Sequence, residues 1–463
     1  MRPQEVVERA LELSRADGCV VHVVERSETN LRWANSTITT NGEMRSRRIA
    51  VVSVVNGASG SATGTAEHTS VTADSLEELV RASERIAAAN SAADDAAPLV
   101  EPADGQPGAA AWSDDPAVTT VDVFAGVTPA LGEAFARSRA AGQQLFGFAE
   151  HVVESVYLGS STGLRLHHDQ PGGTVELNAK SLDRSRSAWV GLGTTDFTDV
   201  DVTALDAGLV RRLEWASRRV DLPAGRYETI LPPAAVADLM TLGYAFGTAR
   251  DADEGRSWFA RPGGGTRVGE RIATLPLTLR SNPFEPGLGC APFVHTPSSG
   301  LSGSVFDNGL PTTPTAWISD GVLRELVRTR SWAARTGAEP APMVDNLVLE
   351  QPGADAAEAD LVAATGRGLL LTCFTYVRLV DPQTLLFTGL TRDGVYLVEG
   401  GEVVGAVNNF RFNESPMSLL ERATEVGRPE RCIGRDINEY FPRTVMPALR
   451  IPDFNMSTVS QAS

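Results

Sequence analysis

A faint internal repeat constrains this chain more than any other feature. The stretch from Val23 reads VVERSETNLRWANSTI, and the stretch from Val152 reads VVESVYLGSSTGL. GSATGT at Gly60–Thr65 is answered by VGLGTT at Val190–Thr195, and LVRASERI at Leu79–Ile86 by RLEWASRRV at Arg212–Val220. The matches keep their order at a nearly constant offset, as a duplicated unit with small loop insertions requires.

Each copy carries the same periodicity. Pro3 to Ser14 places Val6, Val7, Ala10, Leu11 and Leu13 on one helical face, and apolar alternation with β-branched residues over 19–55 reads as several strands. Asn41-Gly42 supplies a hairpin signal between two of them. Asp74-Ser75-Leu76-Glu77 opens a closing helix. In the second copy the opening helix is TPALGEAFARSRAAG, the strands run from about Phe148 to Val190, and the closing helix is ALDAGLVRRLEWASRRV. The expected fold class is α+β, with an α-β-β-β-β-α unit occurring twice in an N-terminal α/β domain, 1–221. Its units are 1–87 and 120–221, and 88–119, rich in Ala, Asp and Pro, reads as a mobile connector.

A β-rich C-terminal domain is expected over 222–463. Arg226 to Leu231 reads as a strand and Pro233 to Thr248 as a helix. Ser319-Asp320-Gly321 marks a hairpin, and LLFTGLTRDGVYLVEGGEVVGAVNNFRF reads as a meander turning at Asp393-Gly394 and Gly400-Gly401.

Composition narrows the function classes. The formal charge is −17 over 463 residues, with no basic stripe, so direct nucleic-acid binding is disfavoured electrostatically. A single lysine, Lys180, among 41 basic residues reflects codon usage rather than dedicated anion binding. The start, MRPQEVVERALELSRADG, has no apolar signal region, and no window reaches the length of apolar residues needed to span a membrane. Cys19, Cys290, Cys373 and Cys432 are scattered without a C-x-x-C pair, which fits a reducing compartment. A cytoplasmic protein without membrane attachment is expected.

The candidate sites are sparse. The six histidines, His22, His68, His151, His167, His168 and His295, include no helical pair with metal-ligand spacing. His167 and His168 adjoin in a strand and so point to opposite faces. His167 with Asp169 lacks a third ligand. Gly159-Ser160-Ser161-Thr162-Gly163 satisfies G-x-S-x-G, but a strand rather than a helix follows, so it reads as a hairpin turn. Arg261-Pro262-Gly263-Gly264-Gly265 and Gly191-Leu192-Gly193 are incomplete phosphate motifs and read as turns. Cys373, in the apolar run LLLTCFTYV, reads as a core residue. Cys432, flanked by Arg431 and Arg435, is the one thiol to test for reactivity or metal binding, although a structural cysteine is favoured.

The C-terminal half resembles the TldD/PmbA family. The block GLLLTCFTYVRLVDPQTLLFTGLTRDGVYLVEGGEVVGAVNNFRFNESP, Gly368 to Pro416, carries the resemblance, supported by GSVFDNGLPTTPTAWISDGVLRELVRTRSWAARTG and RYETILPPAAVADLMTLGYAF. The resemblance implies a cytoplasmic zinc-dependent peptidase of two paired subunits. Its catalytic branch carries His-Glu-x-x-x-His on the helix after that last strand. Here the corresponding stretch, Leu239-Met240-Thr241-Leu242-Gly243-Tyr244-Ala245, has neither His nor carboxylate. The chain is therefore similar to the PmbA, or TldE, branch. Cys432 falls roughly where the catalytic branch has its third ligand, but a lone thiolate should not retain zinc. The implied role is a non-catalytic subunit with no catalytic, cofactor or metal residues of its own. Zinc is expected in a TldD-like partner, and unfolded peptide as substrate. The alternatives are a homodimeric peptide-binding scaffold and an independent hydrolase using Cys432 or Ser161.

Overall fold

The computed structural model describes residues 1–437 and 441–460. The N-terminal half contains α1 (Pro3–Leu13), β1 (Gly18–Ala34), β2 (Thr37–Gly57), β3 (Gly60–His68) and α2 (Ala73–Ala89). A second run follows of α3 (Thr128–Ala140), β4 (Gln143–Ser160), β5 (Arg165–Ser181), β6 (Ser187–Thr194) and α4 (Val202–Trp215). The six strands form one antiparallel sheet in the order β3-β2-β1-β4-β5-β6. It consists of two three-stranded meanders joined along a seam in which β1 pairs with β4 from Val20↔Ser160 to Trp33↔Gly147. The duplication is thus visible in the order of elements on either side of the seam.

Each copy has three strands, however, and not the four expected. Asn41-Gly42 does not turn the chain; it lies within β2, opposite Leu31 and Asn30. The turn is Asn35-Ser36, both with positive φ (51° and 56°), the requirement of a tight two-residue hairpin. Tertiary bonds fix this choice. The Ser36 N–H donates to the Leu145 carbonyl, and its buried hydroxyl meets Ser138 of α3 and the Leu145 N–H.

Alternation along these strands sends one set of side chains to the helices. Val6, Val7, Leu76 and Val80 from α1 and α2 cover Cys19, Val21, Val23, Ile49 and Val51. Leu131, Phe135, Leu209 and Leu213 from α3 and α4 cover Leu31, Trp33, Val175 and Leu177. Close approach of α2 requires Gly64, where a Cβ would lie 2.2 Å from the Ala87 nitrogen.

On the opposite face, Val20, Val52, Val156, Leu158 and Leu166 are covered by Ala93–Val100 of the connector and by Phe293 and Phe306 from the C-terminal half. The connector is therefore packed rather than mobile. It lacks regular structure, apart from a 3-10 turn just beyond it at Val121–Phe124, but strand side chains satisfy its backbone. His167 Nδ1 pairs with the Ala111 carbonyl, the Tyr157 hydroxyl donates to the Asp114 carbonyl, and Ser27 exchanges hydrogen bonds with Thr119. Buried Gln106 donates through Nε2 to the Gly309 carbonyl at 2.7 Å, linking the connector to the C-terminal half.

That half comprises β7 (Arg219–Val220), β8 (Gly225–Leu231), α5 (Pro233–Ala245), α6 (Ala249–Asp253), β9 (Thr278–Ser281), β10 (Thr315–Ser319) and β11 (Val322–Leu323). It continues with α7 (Arg330–Thr336), β12 (Leu347–Glu350), α8 (Glu358–Ala363), β13 (Arg367–Leu371), β14 (Phe374–Asp381), β15 (Leu386–Thr391) and β16 (Val395–Glu399). It ends with β17 (Glu402–Val407), β18 (Phe410–Glu414), α9 (Pro416–Arg422), β19 (Glu425–Cys432) and β20 (Thr444–Val459). Its strands form a 14-stranded mixed sheet, which the chain enters at β7, just before the expected start of this half at 222. The Asp320-Gly321 and Gly400-Gly401 hairpins form as read. Asp393-Gly394 does not join a hairpin, because β15 pairs with β14 and β18 whereas β16 pairs with β13 and β17. There the chain crosses between ladders, held by a bond from the Thr372 N–H to the Gly394 carbonyl. Among the described residues no helix is long and apolar enough to cross a membrane.

The Gln106 bond is testable. Gln106→Ala leaves the Gly309 carbonyl without its partner and should lower unfolding stability by about 1–3 kcal/mol, read as a shift in the urea midpoint.

Candidate functional site

The helix that the family resemblance assigns to catalysis is α5. It follows β8 directly, starts with Pro233 and is buried along most of its length. Within it Asp238 is fully buried. Its two carboxylate oxygens accept the backbone N–H groups of Arg435 at 3.1 Å and Asp436 at 3.0 Å. The approach is close enough that a Cβ on Gly434 would stand 2.2 Å from Asp238 Oδ1. Burial drives the Asp238 acid up to about 8, although the backbone donors and nearby Asp436 also act on it, in opposite directions.

The segment held by Asp238 distributes contacts in two directions. The Asp436 carboxylate accepts the N–H groups of Tyr376 (2.7 Å) and Val377 (2.9 Å) at the start of β14. The Arg435 guanidinium donates to Asp393 at 2.5 Å and to the Cys373 sulfur at 3.3 Å, and lies 5.7 Å from the centre of the Trp189 ring on β6. Asp393 also accepts from the Ser187 hydroxyl. One buried carboxylate thereby organises α5, β14, the β15–β16 crossover and the edge of the N-terminal sheet.

Cys432 ends β19 beside this network. It is buried, its sulfur is 3.4 Å from the Pro233 carbonyl, and burial pushes its thiol up to about 12. The arginines expected to activate it are turned elsewhere, Arg431 to Asp199 and Arg435 to Cys373 and Asp393. Cys432 is therefore a buried structural cysteine, the reading favoured for it, and not an activated thiol. Cys373 is a core residue, as read, but also the sulfur that faces a guanidinium. Burial raises its thiol, with Arg435 opposing.

The remaining candidates take structural places. His167 and His168 lie in β5 on opposite faces. His167 stacks on Tyr157 at 4.1 Å and meets Asp169 at 3.1 Å, whereas His168 meets Gln170. His151 bonds Thr119 and the Thr195 carbonyl. Burial drives His22 down to about 3 and His295 to about 4, so both are neutral. His68 accepts the Ser70 N–H. Gly159–Gly163 is the β4–β5 turn, and the Ser161 oxygen accepts the Cys19 N–H at 3.0 Å. Arg261–Gly265 is a turn closed by the Arg261 N–H on the Gly265 carbonyl. Gly191 and Gly193 lie in β6 rather than in a turn, and let Ile433 and Pro442 approach the sheet. Among the described residues no three His, Cys, Asp or Glu side chains are grouped to hold a metal.

Comparison with known proteins bears on this helix. A sequence model of the PmbA/TldA metallopeptidase C-terminal domain matches residues 224–458, and a model of the same family's domain 1 matches 19–87. The chain belongs to the PmbA/TldA metallopeptidase family. Its fold is TldE-like: TldE from Thermococcus kodakarensis superposes with a TM-score of 0.77 at 17% identity, covering 98% of this chain and 99% of that one. A proposed modulator of DNA gyrase from Thermotoga maritima gives 0.74 at 16% identity, covering 98% and 99%. Another from Bacteroides thetaiotaomicron gives 0.72 at 15%, covering 99% and 98%. No curated protein sequence matches the chain.

The donors around α5 do not suit the zinc that the family name implies. Zinc takes deprotonated sulfur, imidazole nitrogen or free carboxylate oxygen. In this metallopeptidase-family chain Asp238 is committed to backbone donors, the Cys432 thiol is held protonated, and α5 has no histidine. Asp238 is also the residue that sequence reasoning missed, one position before the stretch compared with the family motif. Its signal was a lone carboxylate at an inward position of an apolar helix.

The acid gives a pH signature. Its folded value, near 8, lies above the ordinary 3.8. Its stabilising contribution is therefore complete below the ordinary value and is lost as pH rises through about 8. The wild-type melting temperature should fall between pH 6 and pH 9. Asp238→Asn should lose about 1–3 kcal/mol at pH 6, because an amide NH2 opposes a backbone N–H, and less at pH 9. Thermal melts of both proteins across this range provide the check.

Proposed function

We propose that this chain is the non-catalytic, TldE-like subunit of a two-subunit zinc metallopeptidase that acts on unfolded peptides. The carboxylate clamp at α5 carries the reading. On the helix where the family resemblance places a metal motif, this chain has no histidine, and Asp238, one position before the corresponding stretch, is bonded to the chain's own backbone. Family membership and the TldE-like fold support the same conclusion. In this reading a TldD-like partner supplies zinc and the general base. This chain contributes a wall of the peptide-binding space and holds extended substrate through backbone hydrogen bonds that tolerate many sequences.

The pair works in the cytoplasm. Two structural neighbours are described as proposed modulators of DNA gyrase. At −17, this chain would reach any such system through protein contacts and not through DNA. An independent hydrolase is disfavoured, since the Ser161 oxygen is occupied by the Cys19 N–H and the Cys432 thiol is buried and raised.

Co-expression with a TldD-like subunit from the same genome tests the proposal. The purified single chain should carry far less than one zinc by elemental analysis and leave unfolded casein intact, whereas the pair should co-purify at equal stoichiometry, carry zinc and cleave it. Tight stoichiometric zinc on the single chain would sink the proposal. A stable homodimer that ignores the TldD-like subunit would favour the scaffold reading.

A further inference from the structure

β2 outruns the strand beside it. β3 ends at His68, opposite Ile49, and the chain then turns away into α2. Beyond that point β2 pairs with β1 alone, so its outer edge lies open over residues 37–48. The pairing is regular there, with no slip between Thr40 and Val54, and the segment contains no proline. Among the described residues no backbone group outside β1 bonds to its backbone. All of its residues are exposed except half-buried Gly42 and Arg47.

The duplicated copy shows what such an edge accepts. There β5 outruns β6 in the same way, its residues 165–172 lying beyond the last pair, Gly173↔Thr194. The chain itself fills that overhang. The His167 N–H donates to the Gly108 carbonyl of the connector, and the Gln170 side chain donates to the Gly289 carbonyl of the C-terminal half. The first copy has the equivalent overhang, and no segment of the described residues fills it.

Sheet edges of this length are blunted by bulges, proline or charge. Here only charge is used, and most of it has one sign. Register sets Arg47 opposite Glu25, its ion-pair partner, but sets Arg45 opposite Ser27 and Arg48 opposite Val24. Neither Arg45 nor Arg48 has an ion-pair partner among the described residues. The one carboxylate of the segment, Glu43, accepts the Val121 N–H. With three arginines against one engaged carboxylate, the edge disfavours a second copy of itself and attracts a strand carrying carboxylates.

We propose that the open edge of β2 takes an extended peptide as an added strand, with carboxylates three positions apart opposite Arg45 and Arg48. Residues three apart on a strand project to opposite faces, so the two ion pairs grip the peptide from both sides of the sheet. Main-chain hydrogen bonds hold the rest. The proposal rests on the peptide-handling role above and gives that role a location and a charge preference.

The test is fluorescence anisotropy on the single chain, with a fluorescein-labelled nonapeptide of threonine and serine carrying two Glu three positions apart. A twin peptide carries Lys at the same positions. Wild type should bind the Glu peptide roughly fivefold more tightly than the Lys peptide. The double variant Arg45→Glu, Arg48→Glu should reverse that order, and because both residues are exposed its melting temperature should stay near that of wild type. An added strand turns the backbone of every second residue toward its neighbour. N-methylation of the Glu peptide, one residue at a time, should therefore weaken binding at alternate positions and spare those between. A peptide held by charge alone would show no alternation. The proposal is overturned if wild type binds neither peptide, if the two bind equally, if the double variant keeps the Glu preference, or if N-methylation shows no alternation. It is also overturned if the double variant instead dissociates a homodimer or releases a co-expressed TldD-like subunit, which would assign the edge to a subunit contact. The binding assay requires neither zinc nor a partner, so its failure is distinct from failure of the two-subunit experiment.

Discussion

A carboxylic acid sealed inside an apolar helix is the constraint from which the arrangement around α5 follows. Left alone in such surroundings, the Asp238 carboxylate would pay a desolvation cost of several kcal/mol. It is stabilised by backbone donors that the sequence can supply only by bringing Gly434, Arg435 and Asp436 against the helix. Once that segment is in place, Arg435 must point at Asp393 and Trp189, and Asp436 must close on β14. The N-terminal sheet is thereby fastened to the C-terminal sheet by charge as well as by apolar contact. The surface residues of β14 inherit their geometry from an acid two hydrogen bonds away.

The outline of this arrangement was legible in the sequence because it rests on local periodicity. The helices α1 to α5, the strand β8 and the hairpins at Asp320-Gly321 and Gly400-Gly401 all follow from patterns within a dozen residues. Asn41-Gly42 and Asp393-Gly394 show the limit. Both are good turn dipeptides, yet β2 runs straight through the first and the second crosses between ladders, because pairing partners distant in sequence decide which turn signal is used. The site was less legible for the same reason. The resemblance directed attention to α5, but Asp238 acquires its meaning from residues nearly two hundred positions away. The arginines flanking Cys432 suggested activation by proximity in sequence, whereas in space they serve Asp199, Asp393 and Cys373.

The connector illustrates a different failure of local reading. Its composition is that of a flexible linker, rich in Ala, Asp and Pro. What orders it is a set of polar strand residues, Ser27, Tyr157 and His167, that would otherwise be unexplained on a sheet face. Linker composition describes what a segment can do for itself and is silent about what a neighbouring surface does for it.

The seam between β1 and β4 has a consequence for synthesis. The first meander is complete once α2 has emerged, but one whole edge of β1 waits for β4, whose residues lie more than a hundred positions later. At about 5–20 residues per second, a nascent chain carries an unpaired strand edge for roughly 6–25 s. That interval is long compared with hairpin formation and suffices for strand-to-strand contact between neighbouring nascent chains. The charged residues of β1, Glu25, Arg26 and Glu28, lie along that edge. Within the first copy they already pair, Arg26 with Glu28 and Glu25 with Arg47 of β2, and the arrival of the second copy adds Glu150 and Glu154 of β4 to Arg26. Until then they keep the waiting edge from accepting the wrong strand, so the duplication carries its own protection against mispairing.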